Sequence, residues 1–178
     1  VNHSDTKSGK PENGEKEKKK RIKIIRTFPD IILKVKAKPI TDISESTLKI
    51  LDEMVKVVKM ADAAGLAANQ IGISRTLAVA VQEDGSFLKM INPVIVEDNG
   101  EENDEEGCLS VPGSVLTIPR ASRVVVEYLD TEGKKQTIRA SGFTARVLQH
   151  EIDHLNGLLI IDRLQPEERL QFLREYKK

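Results

Sequence analysis

The chain is 178 residues long and carries 28 basic and 28 acidic residues, so its formal net charge is zero. That balance lacks the basic footprint of a nucleic-acid binder or of a protein held on an anionic membrane. No apolar run approaches the ~20 residues of a membrane-spanning helix. A single cysteine cannot close an internal disulfide, and no apolar signal-peptide core follows the start. A reducing compartment is therefore expected: the cytoplasm or, in a eukaryote, an organelle.

The first twenty residues hold six lysines, four acids and one apolar residue. Such a stretch cannot bury enough surface to offset its ordering entropy, so a disordered charged tail is expected over 1–20 and a single domain over 21–178. "IKIIR" (22–26) reads as an extended entry and "TFPD" (27–30) as a turn. Apolar residues at Leu48, Leu51, Val55, Val58 and Ala61 predict a helix over 42–62, with Asp42 and Glu45 as a capping box and an end by Gly65. Strands are predicted at 76–81, 87–91, 94–96, 114–118, 123–129 and 136–140, separated by turn signals such as "EDG" and "DTEG". The acid-rich stretch 97–106 reads as a solvated loop.

A second helix is predicted over 143–155, with Ala145, Leu148, Ile152 and Leu155 on its core face and Gly157 just past its end. "PEERLQFLREYKK" closes the chain as a third helix, whose Leu170 and Leu173 are expected to pack against the body. Helix, then strands, then helix indicates an α+β fold; the expected arrangement is short antiparallel β-sheets packed around a central second helix, with an N-terminal and a C-terminal helix.

The chemistry concentrates in "QHEIDHLNG" (149–157), which takes two of the three histidines. On a helix, His150 and His154 fall about 40° apart, so both imidazoles reach one ion, and Glu151 lies close enough to address a water there. The spacing also occurs by chance on amphipathic helices. A catalytic site needs a third protein ligand. Glu175 has a plausible separation but sits near the chain end, whereas Cys108 in "EEGCLSVPG" is the better candidate, a soft thiolate beside a glycine and a turn. Against it stands the commoner fate of a lone cysteine, that of a small buried hydrophobe. Asp153 points away from the imidazoles and suits a salt bridge; Glu106 suits a structural partner. Val147, one turn before His150, either lines a pocket or shields the helix.

Three segments in order, "AAGLAANQ" (63–70), "EGCLS" (106–110) and "QHEIDH" (149–154), resemble the peptide deformylase family over about residues 22–166. Ala63 stands where the family usually has its first glycine, and Ala64 where a larger branched residue is common. The resemblance implies removal of the formyl group from N-formylmethionine of newly made polypeptides. It also implies one divalent metal ion on Cys108, His150 and His154, with Fe²⁺ in the cell and Zn²⁺, Ni²⁺ or Co²⁺ able to replace it. Glu151 would be general base and acid, and the Gln70 amide and Leu109 N–H would face the oxyanion. Ala64, Gly65 and Gly107 would hold the substrate backbone, with Val147 beside the methionine side chain.

The implied partners are formylmethionyl nascent peptides and the ribosome near its exit tunnel, with no membrane, no sequence-specific nucleic acid, and a monomeric protein. Two rivals stand beside this reading: a small zinc peptidase with Glu175 as third ligand, and a non-catalytic, metal-stabilised ribosome-associated module.

Overall fold

The computed structural model describes residues 24–176; the expected tail over 1–20 lies outside them. Among the described residues there are three α-helices, α1 (Glu45–Ala61), α2 (Gly142–Leu155) and α3 (Pro166–Glu175). Strands β1 (Gly65–Ala67), β2 (Leu77–Val81), β3 (Phe87–Asn99), β6 (Arg123–Leu129) and β7 (Lys135–Ser141) form one antiparallel sheet in the order β1-β2-β3-β6-β7. Strands β4 (Glu102–Gly107) and β5 (Val115–Arg120) form a separate hairpin.

Helix α1 starts three residues later than predicted, after Ser44 in extended conformation, and no side-chain cap bond forms there. Its buried face is Thr47, Leu51, Met54, Val57 and Val58, so the apolar stripe is rotated from the expected one and Leu48 and Val55 lie on its flank. The helix ends at Asp62 rather than Gly65: Asp62 takes φ 53° and its N–H returns to the Val58 carbonyl, a left-handed conformation that a short polar side chain tolerates.

Strand β3 runs from Phe87 through Asn99, joining two predicted strands and part of the predicted loop. Asn92 (φ 53°) bends it, and its carboxamide pairs with both backbone groups of Ile40. The acid-rich stretch 97–106 is therefore not a loop but the end of β3, a tight turn at Gly100 (φ 71°), and β4. Charged side chains tolerate a two-stranded hairpin because one face stays in water while β5 satisfies the backbone. Only Glu106 turns inward.

Helix α2 lies across the sheet. Ala145, Leu148, Ile152 and Leu155 pack in one cluster with Ala67, Ala78, Ala80, Met90, Val124 and Val126. The alanines on β1 and β2 let the helix axis approach closely, and even its polar residues Gln149, Glu151 and Asp153 are buried. At its end Gly157 takes φ 78°, where an added Cβ would lie 2.8 Å from the Lys34 carbonyl oxygen, so the N-terminal segment crosses directly over the helix terminus. The Ala37 N–H donates to the Leu155 carbonyl there (2.8 Å).

Helix α3 departs from expectation. Leu170 and Leu173 are 51% and 37% exposed. Phe172 and Tyr176 make the contact instead, stacking on each other at 5.0 Å, with Tyr176 edge-on to Phe28 at 5.9 Å. An aromatic seat on the body chose the aromatic face of the helix over its leucines.

Candidate active site

Helix α2 projects His150 and His154 from successive turns, and the chain leaving β4 brings Cys108 opposite them. Their ring nitrogens and sulfur lie within 4.8 Å of one another. His154 Nε2 is 3.3 Å from Cys108 Sγ and 3.2 Å from His150 Nε2. Metal–sulfur bonds of about 2.3 Å and metal–nitrogen bonds of about 2.0–2.1 Å set tetrahedral neighbours roughly 3.3–3.6 Å apart. The two observed separations are close to these values, and the three donors could hold a single ion. Glu175 is not in this group; it is on α3 and accepts a hydrogen bond from Gln171.

Glu106 reaches His150 Nδ1 at 2.9 Å and orients that ring. The carboxylate is itself held in a buried network: Arg120 donates to both its oxygens (2.9 and 3.0 Å), and Arg146 to one of them (2.8 Å). Arg120 continues to Asp153, which also pairs with Arg163. The salt bridge expected for Asp153 thus exists, and it joins α2 to the β4–β5 hairpin. Burial alone would raise the Glu106 pKa, but His150 and Arg120 hold it well below the usual carboxylate range.

Glu151 is 3% exposed and its Oε2 has no partner. Burial, opposed by His150 and Arg120, raises its pKa to about 7, where a carboxyl both takes up and gives back a proton near neutrality. The two imidazoles are driven apart. Burial and the neighbouring His150 charge lower His154, whereas His150 is raised because Cys108 and Glu106 outweigh its burial.

Gln70 is buried, its Oε1 accepting from the Ala67 N–H (2.8 Å) and its Nε2 directed at Ser110 Oγ (3.2 Å) and Cys108 Sγ (3.9 Å). The motif residue is therefore not a surface amide; it addresses the sulfur side of the site. Ser110, Arg120, Arg146 and Asn69 were not singled out from sequence, and each is a buried polar residue with no local periodic signal.

Gln70, Glu106, Cys108, His150 and Glu151 line a cleft of about 790 Å³ whose walls also include Gly65, Gly107, Leu109, Phe143 and Val147. Val147 both lines the cleft and packs in the core; Phe143, 66% exposed, stands at the rim. One edge of the cleft is β1. The Ala64 carbonyl accepts from the Val81 N–H (2.8 Å), so hydrogen-bonded pairs alternate and the Gly65 backbone groups face away from β2. Ala64 is thus held by the sheet at its carbonyl, while Gly65 offers the open edge.

Residues 22–170 match the family model described as polypeptide deformylase. A peptide deformylase of Halothermothrix orenii is 48% identical over 141 residues, 79% of this chain and 92% of that protein. The crystal structure of the peptide deformylase from Thermus thermophilus superposes with a TM-score of 0.80 at 41% identity, covering 84% of this chain and 90% of that one. A structure of the Acinetobacter baumannii enzyme bound to Met-Ala-Ser has a TM-score of 0.75 at 31% identity, covering 79% and 96%. With an α+β fold and a Cys-His-His cluster that could hold a metal ion, the chain belongs to the peptide deformylase family, the metal-dependent hydrolases that remove the N-formyl group from nascent polypeptides.

Proposed function

We propose that Cys108, His150 and His154 hold one divalent ion, Fe²⁺ in the cell with Zn²⁺, Ni²⁺ or Co²⁺ as substitutes, and that Glu151 moves the proton in deformylation. The observation that carries this is the buried Glu151 carboxyl, with one oxygen unpartnered, in a cleft lined by two members, Cys108 and His150, of a three-donor cluster. An ion bound there would supply a Lewis acid, moderated to a net charge of +1 by the thiolate, that polarises the formyl oxygen and lowers the pKa of water.

The remaining work falls to the chain. Glu151 takes the proton of the attacking water and returns it to the departing amine, and formate leaves. The Gln70 amide and the Leu109 N–H face the oxygen that gains charge, where one donor contributes about 2.7–4 kcal/mol. The peptide runs as an added strand along the open edge at Gly65, with Gly107 on the facing wall. The methionine side chain lies against Val147, near Ala64. A relative binds Met-Ala-Ser, which supports a substrate of this class. The protein acts as a cytoplasmic monomer on chains emerging from the ribosome.

The test is Glu151→Gln in protein loaded with metal. Formate release from formyl-Met-Ala is expected to fall by about 10²–10⁴ while metal stoichiometry is retained. A variant with wild-type turnover would remove Glu151 from the reaction.

A further inference from the structure

Among the described residues, the buried side-chain atoms without a hydrogen-bond partner include Asn69 Oδ1 and His154 Nδ1. Both residues are essentially inaccessible, at 0% and 1% exposure. Leaving such groups unpaired forfeits their hydration with nothing in return, so a pair of them beside the reacting centre calls for a reason. The other end of the same carboxamide is already committed, for Asn69 Nδ2 donates to the His154 backbone carbonyl. That bond settles which end is which, because the reversed amide would set two acceptors against each other.

His154 Nε2 faces Cys108 Sγ and His150 Nε2. With Nε2 given to an ion, the ring proton must sit on Nδ1, which is then a buried donor needing an acceptor. His150 has its acceptor, the Glu106 carboxylate; His154 has none. We infer that Asn69 is the positioning residue of His154, its Oδ1 accepting from Nδ1–H across one bridging water, so that a single carboxamide grips residue 154 by backbone and by ring. The two histidines are then supported unequally, one by an anion and one by a neutral amide. That leaves the ion its +1 site instead of adding a second buried negative charge.

This inference rests on the metal reading above, and Co²⁺ titration tests the two separately. Wild-type apoprotein and the Asn69→Ala and Asn69→Asp variants are titrated against a competing chelator, following the cobalt d–d and thiolate charge-transfer bands. Outer partners of metal-bound histidines typically contribute 10–100-fold in affinity, so Asn69→Ala is expected to bind Co²⁺ at least 10-fold more weakly.

Asn69→Asp keeps an acceptor for the ring but sets an oxygen against the His154 carbonyl, and is expected to bind Co²⁺ more weakly than wild type yet more tightly than Asn69→Ala. If both variants weaken binding equally, Asn69 is only a backbone tether and the inference fails. It fails also if Asn69→Ala binds as wild type does. Absence of Co²⁺ binding by the wild type would instead overturn the metal reading itself. Should either variant fail to fold, long-range ¹H–¹⁵N spectra of the Zn²⁺-loaded wild type decide. A slowly exchanging proton on His154 Nδ1 supports the inference, and a rapidly exchanging one overturns it.

Discussion

Gly65→Ala is the sharpest probe of how the strand edge and the general base are fitted together. A Cβ on Gly65 would lie 2.5 Å from Glu151 Oε1 and 2.9 Å from both Cδ and Cγ. Non-bonded carbons rest at about 3.5–4.0 Å, so the Glu151 side chain must retreat by roughly 0.6–1 Å. The strand cannot yield in its place, because Gly65, Leu66 and Ala67 are registered against Ala80, Val79 and Ala78. Rotating only the carboxylate end does not relieve the contact, since Cγ is as close as Cδ.

Overpacking of this kind costs about 1–3 kcal/mol of stability, and a ~1 Å displacement of a reacting group costs about 10²-fold in rate. We expect kcat to fall about 100-fold, with KM changed far less because the new methyl points at Glu151 and not along the open edge. Metal content should be unaltered, because the three atoms nearest the added Cβ all belong to Glu151 and none to a ligand. Formate release coupled to formate dehydrogenase gives kcat and KM, and elemental analysis gives the metal. A Gly65→Ala protein with wild-type metal and kcat within threefold of wild type would refute the account of Glu151 as seated against β1.

Two further outcomes follow from the buried charges. Arg120→Met removes the shared partner of Glu106 and Asp153 and leaves each buried carboxylate one cation short, with Arg146 alone on Glu106 and Arg163 alone on Asp153, so urea unfolding should show a loss of about 3–5 kcal/mol; a loss under 1 kcal/mol would contradict the network. At Asp162, burial would raise the pKa, but Lys34, the Leu159 N–H and Arg169 together lower it below the ordinary 3.8. A carboxyl whose folded pKa is depressed stabilises the fold above its unfolded pKa and loses that contribution as pH falls through the folded value. The stability difference between wild type and Asp162→Asn should therefore be constant near pH 5–7 and shrink below about pH 3.8, and a difference independent of pH would refute the assignment.

Local pattern was enough where a residue's environment is set by its near neighbours in sequence. The predicted second helix, 143–155, matches α2 (Gly142–Leu155) almost residue for residue, because its core stripe and its histidine pair both obey the 3.6 period and Gly157 ends it. Strand β6 matches its predicted bounds, since "RVVVEYL" is β-rich and flanked by turns. Pattern misled where the partner was remote. The acidic run 97–106 looked like a solvated loop because composition registers charge and not the strand β5 that pairs with it. Leu170 and Leu173 looked like anchors because nothing in α3 announces the Phe28 ring waiting for Tyr176.

The sequence by itself determined the α+β class, the helix that carries two imidazoles and a carboxyl on one side, and, through three ordered motifs, the family resemblance. Each of these depends on spacing along one short element. Only the tertiary structure decided that Cys108, 42 residues before His150, arrives beside the imidazoles, that Glu106, Arg120 and Asp153 lock the helix to the hairpin, and that Asn69 meets His154. Those contacts join elements distant along the chain. Each buries a polar group whose desolvation is offset only by a partner that the local sequence does not encode.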